Sequence, residues 1–127
     1  MKQTLLCLFV SFSCASFCQT FTGGTGPIND NTTIDIPVTV SGLPATIDTT
    51  NFGLETVCIN LTHTYDADLT VWIVAPDGTV GMLFSNTGGG DDNFTNTCLN
   101  TDAATSLSAG SAPFTGTFKP SGQMGLV

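Results

Sequence analysis

Two groups of side chains in this sequence could do chemistry. The first is His63 with Asp66, Asp68 and Ser85, which offers an imidazole, two carboxylates and a hydroxyl. A nucleophilic triad uses those types: a carboxylate orients an imidazole, and the imidazole takes the proton of a serine. The setting of the serine speaks against it. Ser85 stands in Leu83-Phe84-Ser85-Asn86, without the glycines that place a nucleophile on a tight elbow. The second group is Asp66, Asp68, Asp91, Asp92 and Asn93, oxygen donors on two loops, one of them glycine-rich. Carboxylates and carbonyls on such loops are the ligands that calcium takes, although the EF-hand spacing is absent. Solvated acidic loops are the competing account, with Asp68 accepting backbone N–H groups at the turn before a strand. Calcium is the one cofactor this sequence suggests.

The elements that must position these groups are short strands. Gly, Thr, Asn and Asp are abundant, whereas the residues that fill exposed helix faces are scarce. Thr33 to Val40 alternates, with Ile34, Ile36, Val38 and Val40 on one face, which predicts a half-buried strand; Pro37 suits an edge position. Thr56 to Thr62 predicts a second strand, with Val57, Ile59 and Leu61 on one face and Cys58 and Asn60 on the other. Leu69 to Ala75 is apolar on both faces around Trp72, which predicts a central strand with the Trp in the core. Pro76-Asp77-Gly78-Thr79 is a turn leading into Thr79 to Phe84, so the two segments form a hairpin. Gly88 to Asn93 is an irregular loop, and short apolar pieces follow around Phe94, Leu99, Leu107, Phe114 and Phe118. Several short strands with turns between them predict an all-β sandwich or jelly roll.

Charge and leader bound the setting. Ten acidic residues face two basic ones, Lys2 and Lys119, for a net charge of −8. Such a surface repels phosphate backbones and anionic lipid, which excludes nucleic acid and membrane docking by basic patches. Lys2 is followed by an uncharged apolar run from Leu5 to Phe17, too short to span a bilayer and shaped like the core of a signal peptide. The expected cut follows Cys18, with Ala15 as second choice, so the protein is secreted or displayed at the cell surface. Residues 19–31, rich in Gly and Thr, read as a linker. Cleavage leaves Cys58 and Cys98, most simply a disulfide in an exported chain. A zinc site is the alternative, with only those two thiols and a distant His63 to hold it. Asn31, Asn60 and Asn93 open glycosylation sequons, which arise at background frequency in so Asn- and Thr-rich a chain.

Four motifs resemble the P domain, or P/Homo B domain, of subtilisin-like proprotein convertases. Val57 to Leu69 is similar to its strand, His-Thr, turn and Asp-Leu, with His63-Thr64 and Asp68-Leu69 in those places. Val74-Ala75-Pro76-Asp77-Gly78-Thr79 resembles its strand-end Pro-[Ser/Asp]-Gly-Thr. Gly90 to Thr97 resembles its Gly-Asp-Asn region, and Ala112 to Pro120, with Pro113, Gly116 and Pro120, resembles its Pro-Phe-x-Gly-x-[Tyr/Phe]-x-Pro. The resemblance implies a jelly-roll-like, galactose-binding-like β-sandwich over residues 32–127, and it strengthens the disulfide reading. It also implies a non-catalytic accessory module that stabilises a neighbouring domain, the family being associated with subtilisin-like serine endopeptidases. An adhesive or carbohydrate-binding sandwich is the alternative.

The family pattern continues past the last motif with further strands, so the sandwich is expected to lack its final strands here. With the leader only about ten residues before the domain, any protease is expected to follow it. Missing strands leave unpaired backbone groups along an edge. The expectation for the isolated 127-residue chain is therefore easy unfolding or aggregation, and a sharp cooperative melt of the monomer would count against it.

Overall fold

The computed structural model describes residues 18–44 and 53–122, so the leader ahead of Cys18 lies outside the described residues. Five strands form, β1 (Thr56–Leu61), β2 (Thr70–Val74), β3 (Val80–Ser85), β4 (Phe94–Asn100) and β5 (Gly116–Phe118). Two 3₁₀ turns, Asp66–Asp68 and Leu107–Ala109, are the only helical pieces among the described residues. The strands make two sheets, one in the order β1-β4-β5 and one of β2 and β3. The architecture is all-β with two sheets sharing a core, as expected.

β1 alternates between exposed and half-buried residues, so its apolar face, Val57, Ile59 and Leu61, turns inward. It pairs antiparallel with β4, and β4 pairs parallel with β5 through Thr97 opposite Gly116 and Leu99 opposite Phe118. Where β1 bulges between Ile59 and Leu61, the Asn60 carboxamide oxygen accepts the Asn96 N–H at 2.7 Å. That bond engages the carboxamide oxygen of one sequon asparagine.

β2 and β3 are joined by the expected hairpin turn. The Ala75 N–H donates to the Thr79 carbonyl at 2.8 Å, and Gly78 takes φ +87°, where a side chain would be strained. The Thr79 N–H and hydroxyl donate to the Asp77 carboxylate and hold its pKa below the ordinary carboxylate value.

The two sheets meet through phenylalanine rings. Phe84 of β3 stacks on Phe94 of β4 at 4.7 Å between centroids, and Phe94 stacks on Phe114 at 4.8 Å. Phe118 meets Phe114 edge-on at 6.4 Å, and Leu69, Leu83, Leu99 and Leu107 close the cluster. Phe114 has φ +51°, an uncommon conformation for a bulky residue. It is held there by its neighbours: the buried Thr97 hydroxyl donates to its carbonyl at 2.8 Å, and its own N–H donates to Ser111.

Two expectations fail. Thr33 to Val40 does not form a ladder; only Val38 bridges, to Gly23, and Ile34, Ile36, Val38 and Val40 are exposed. An alternating pattern proposes a strand, but a strand needs a partner backbone, and the described residues supply one bridge. β2 is not central. Among the described residues it pairs only with β3, and Trp72 is 49 % exposed on its outer face, so Trp72 is not core. Within residues 19–31, Ile28 packs against the core and Gly23 makes the bridge to Val38.

Phe94 is fully buried between two rings. Phe94→Ala should cost about 3–5 kcal/mol, the usual range for emptying a buried aromatic site. Denaturant titration measures it, and a loss below about 1 kcal/mol would show that the stack does not carry the core.

Candidate functional site

The chemistry-bearing residues converge at one end of the hairpin, where the Asp66–Asp68 turn enters β2 and residues 86–93 leave β3. The two segments are laced together by backbone bonds. The Asp66 N–H donates to the Asp91 carbonyl at 2.9 Å, and the Ala67 N–H to the Gly89 carbonyl at 3.0 Å. Asn86, at φ +49°, donates its backbone N–H to Leu69 at 3.0 Å and its carboxamide N–H to Ala67 at 2.6 Å. Asn93, at φ +74°, accepts the His63 N–H on its carboxamide oxygen at 3.1 Å.

Asp66 lies at the centre of this lacing and is 0 % exposed. Its Oδ1 accepts the Asn93 N–H at 2.9 Å, while its Oδ2 is buried with no hydrogen-bond partner. Burial pushes the carboxyl above its ordinary value of 3.8, and Asp92 and Asp91 push the same way. The Asn93 N–H and His63 pull it down, but they do not reverse the direction. Gly88 explains how the loop comes so close. A Cβ there would lie 2.7 Å from the Asp66 Cβ and 3.1 Å from both Asp66 Oδ2 and a Phe114 ring carbon. Gly88 also holds φ +102°, so only glycine fits on both counts.

The residues considered for a triad do not come together in that way. The Ser85 hydroxyl is engaged with the Thr70 hydroxyl at 2.9 Å and with the Asn86 carboxamide oxygen at 2.7 Å. His63 is tied to Asn93 through its backbone rather than to a serine. Of the residues considered for calcium, Asp66 and Asn93 meet, whereas Asp68, Asp91 and Asp92 are exposed. Among the described residues no three His, Cys, Asp or Glu side chains gather as a metal-binding group. The carboxylate that accepts a backbone N–H at this turn is Asp66, not Asp68 as the sequence suggested.

Cys58 and Cys98 face each other across β1 and β4 and form a disulfide, with their Cα atoms 4.0 Å apart. Both thiols of the alternative zinc set are therefore used. Closing that 40-residue span stabilises by about 4 kcal/mol on the chain-entropy account.

The family model described as Proprotein convertase P-domain matches residues 55–118, half of the chain, from just before β1 to the end of β5. This chain belongs to the proprotein convertase P-domain family. Over 64 residues it is 42 % identical to Leupeptin-inactivating enzyme 1 of Streptomyces exfoliatus, a stretch that covers 50 % of this chain and 14 % of that relative. No solved structure matches.

The four motifs of this P domain occupy the turns and the core around the site. His63 is half-buried and Thr64 exposed at the end of β1, and Leu69 is buried just before β2. Pro76 and Gly78 build the hairpin turn. Pro113 follows a cis peptide bond, Gly116 opens β5 at φ +128°, and Pro120 is buried. Two residues of the site escaped the sequence reading: Asn86 and Gly88. Asn86 follows a strand and precedes Thr87-Gly88, a local signal for a left-handed turn. Nothing local marks Gly88 among three consecutive glycines.

Gly88 and Gly89 separate two costs. Both hold positive φ, but a Cβ at Gly89 would meet nothing within 4 Å. Gly89→Ala should lose roughly 1 kcal/mol for its backbone, and Gly88→Ala at least about 1 kcal/mol more for the clash with Asp66. Chemical denaturation of the two variants side by side measures the difference; equal losses would mean that the close approach is not tight.

Proposed function

We propose that this chain is a non-catalytic accessory module of an exported protein, which packs on a neighbouring peptidase domain of the same polypeptide and stabilises it. The observation that carries the reading is the outer face of the β2–β3 hairpin. Trp72 stands opposite Met82, and Val74 opposite Val80, so four apolar side chains form a two-by-two patch. They are 49, 38, 58 and 58 % exposed in that order. Neither strand carries a charged residue, in a chain whose net charge is −8. An uncharged apolar patch rimmed by polar surface is cheap to desolvate and is the usual mark of an interaction site.

A covalently attached neighbour is the occupant we favour. In Leupeptin-inactivating enzyme 1 the matched stretch is 14 % of the length, so there the module sits within a much longer chain. Tethering raises the effective concentration to the millimolar range, enough for a small patch to hold a domain in place. The association of the family with convertases supports a subtilisin-like serine endopeptidase as that neighbour. The Cys58–Cys98 disulfide suits an oxidising compartment and supports export.

The test replaces Trp72 and Met82 by serine in the full-length protein. We expect the melting temperature of the neighbouring domain to fall, while the circular dichroism of the module is unchanged, since neither side chain belongs to the core. An unchanged neighbour would overturn the docking role. Loss of oligosaccharide binding on Trp72→Ser alone would favour the carbohydrate-binding alternative, in which the indole stacks on a sugar ring.

A further inference from the structure

We propose that the Asp77–Gly78 bond, at the tip of the β2–β3 hairpin, is where this chain rearranges to isoaspartate, and that Thr79 holds the rearrangement back while the hairpin is closed. The sequence singles this bond out. No other Asp in the chain precedes a Gly, and no Asn does. The rearrangement requires the backbone nitrogen of the following residue to reach the side-chain carboxyl carbon. A side chain on that residue shields its nitrogen, and glycine leaves it open.

The chemistry is self-contained. The carboxylate takes a proton from solvent, and the Gly78 nitrogen attacks Asp77 Cγ. A Cγ–N bond forms, a Cγ–O bond breaks, and the amide proton and the carboxyl OH leave together as water. Water then opens the five-membered imide at one of its two carbonyls. Opening at Cγ restores Asp; opening at the Asp77 backbone carbon leaves a chain that runs through Cβ and Cγ. One water leaves and one returns, so nothing is oxidised or reduced.

The turn both exposes these atoms and restrains them. Asp77, Gly78 and Thr79 are all exposed, so water reaches them. A Cβ at Gly78 would meet nothing within 4 Å, so no neighbour covers the attacking nitrogen. The restraint comes from hydrogen bonds. Asp77 Oδ1 accepts the Thr79 N–H at 2.9 Å, and the Thr79 hydroxyl donates to the same carboxylate. Both bonds favour the ionised carboxylate, the form that has no OH to lose as water. The nitrogen is engaged too, since the Gly78 N–H donates to the Ala75 carbonyl at 2.9 Å. Ring closure must take it away from that carbonyl.

The product would not fit this hairpin. It places one more carbon in the backbone of a turn that the Ala75 N–H closes on the Thr79 carbonyl at 2.8 Å. Val74 pairs with Val80 directly beyond that closure, so the turn that sets the strand register is the part altered.

Ageing the full-length protein in warm neutral buffer, native and in guanidinium, tests this. The product is read, after unfolding and digestion, as chains that Asp-N peptidase no longer cuts ahead of Asp77, because that enzyme does not accept isoaspartate. In the denatured protein we expect it at Asp77 sooner than at any other Asp of the module. In the native protein it should form roughly tenfold more slowly or less, the worth of one hydrogen bond to a charged group. Thr79→Val should speed the native reaction several-fold and leave the denatured rate unchanged, whereas Thr79→Ser, which keeps the hydroxyl, should match wild type. Equal native and denatured rates in the wild-type protein, a comparison that needs no variant, would overturn the protection. Earlier product at another Asp would overturn the site, and a native Thr79→Val rate equal to wild type would overturn the role of Thr79.

Discussion

The column of Phe84, Phe94 and Phe114 is the contact on which everything else in this P domain rests. No long helix covers either sheet among the described residues, so apolar burial must come from the inner faces of the sheets themselves. A domain of this size buries too little surface to waste any. The rings answer that constraint by stacking, each with a partner on one or both sides. They also tie distant parts of the chain together, since Phe84 lies on the hairpin sheet, Phe94 on the other sheet, and Phe114 between the second 3₁₀ turn and β5.

Phe114 shows how the backbone is bent to serve that contact. Its left-handed φ costs roughly 1–2 kcal/mol for an ordinary side chain. A fully buried Phe recovers more than that from burial alone. The Thr97 hydroxyl on its carbonyl and the Thr95 N–H on the Pro113 carbonyl fix the segment against β4, which explains why a polar threonine is wholly buried in an aromatic core. Gly110 completes the fit, because a Cβ there would crowd Phe118 at 2.9 Å and Phe114 at 3.0 Å. Disulfide and core lie on opposite sides of one sheet: Cys58 is exposed on the outer face of β1 while Val57 and Ile59 turn inward.

What could be read in advance follows from the range of the physics involved. Val57, Ile59 and Leu61 announced β1 because alternation is local, and Pro76-Asp77-Gly78-Thr79 announced the hairpin because a turn is decided within a few residues. Cys58 and Cys98 were readable because the expected cleavage of the leader would leave two thiols with one simple fate. Trp72 was misread for the opposite reason. With Val71, Trp72, Ile73 and Val74 all apolar, β2 has no polar face to mark which side meets the core, and only pairing with β3 shows it. Ile34, Ile36, Val38 and Val40 alternate perfectly and still make no ladder among the described residues, since pattern specifies a face and not a partner. The choice between Asp66 and Asp68 was likewise beyond reach. Which carboxyl is buried depends on Gly88 arriving from across the hairpin, a contact no window around the turn contains.

The same closeness links the core to the site. Gly88 touches both Asp66 and the Phe114 ring, so the carboxyl is pressed toward the end of the aromatic column rather than toward water. The turn that carries Asp66 feeds β2, and the segment that covers it leaves β3. Those two strands also bear Trp72, Val74, Val80 and Met82 on their outer face. A partner seated on that face would rest on the same hairpin whose ends hold the buried Asp66 carboxyl. Packing at the end of that two-stranded sheet and exposure on its outer face are therefore properties of one element, because β2 and β3 carry both.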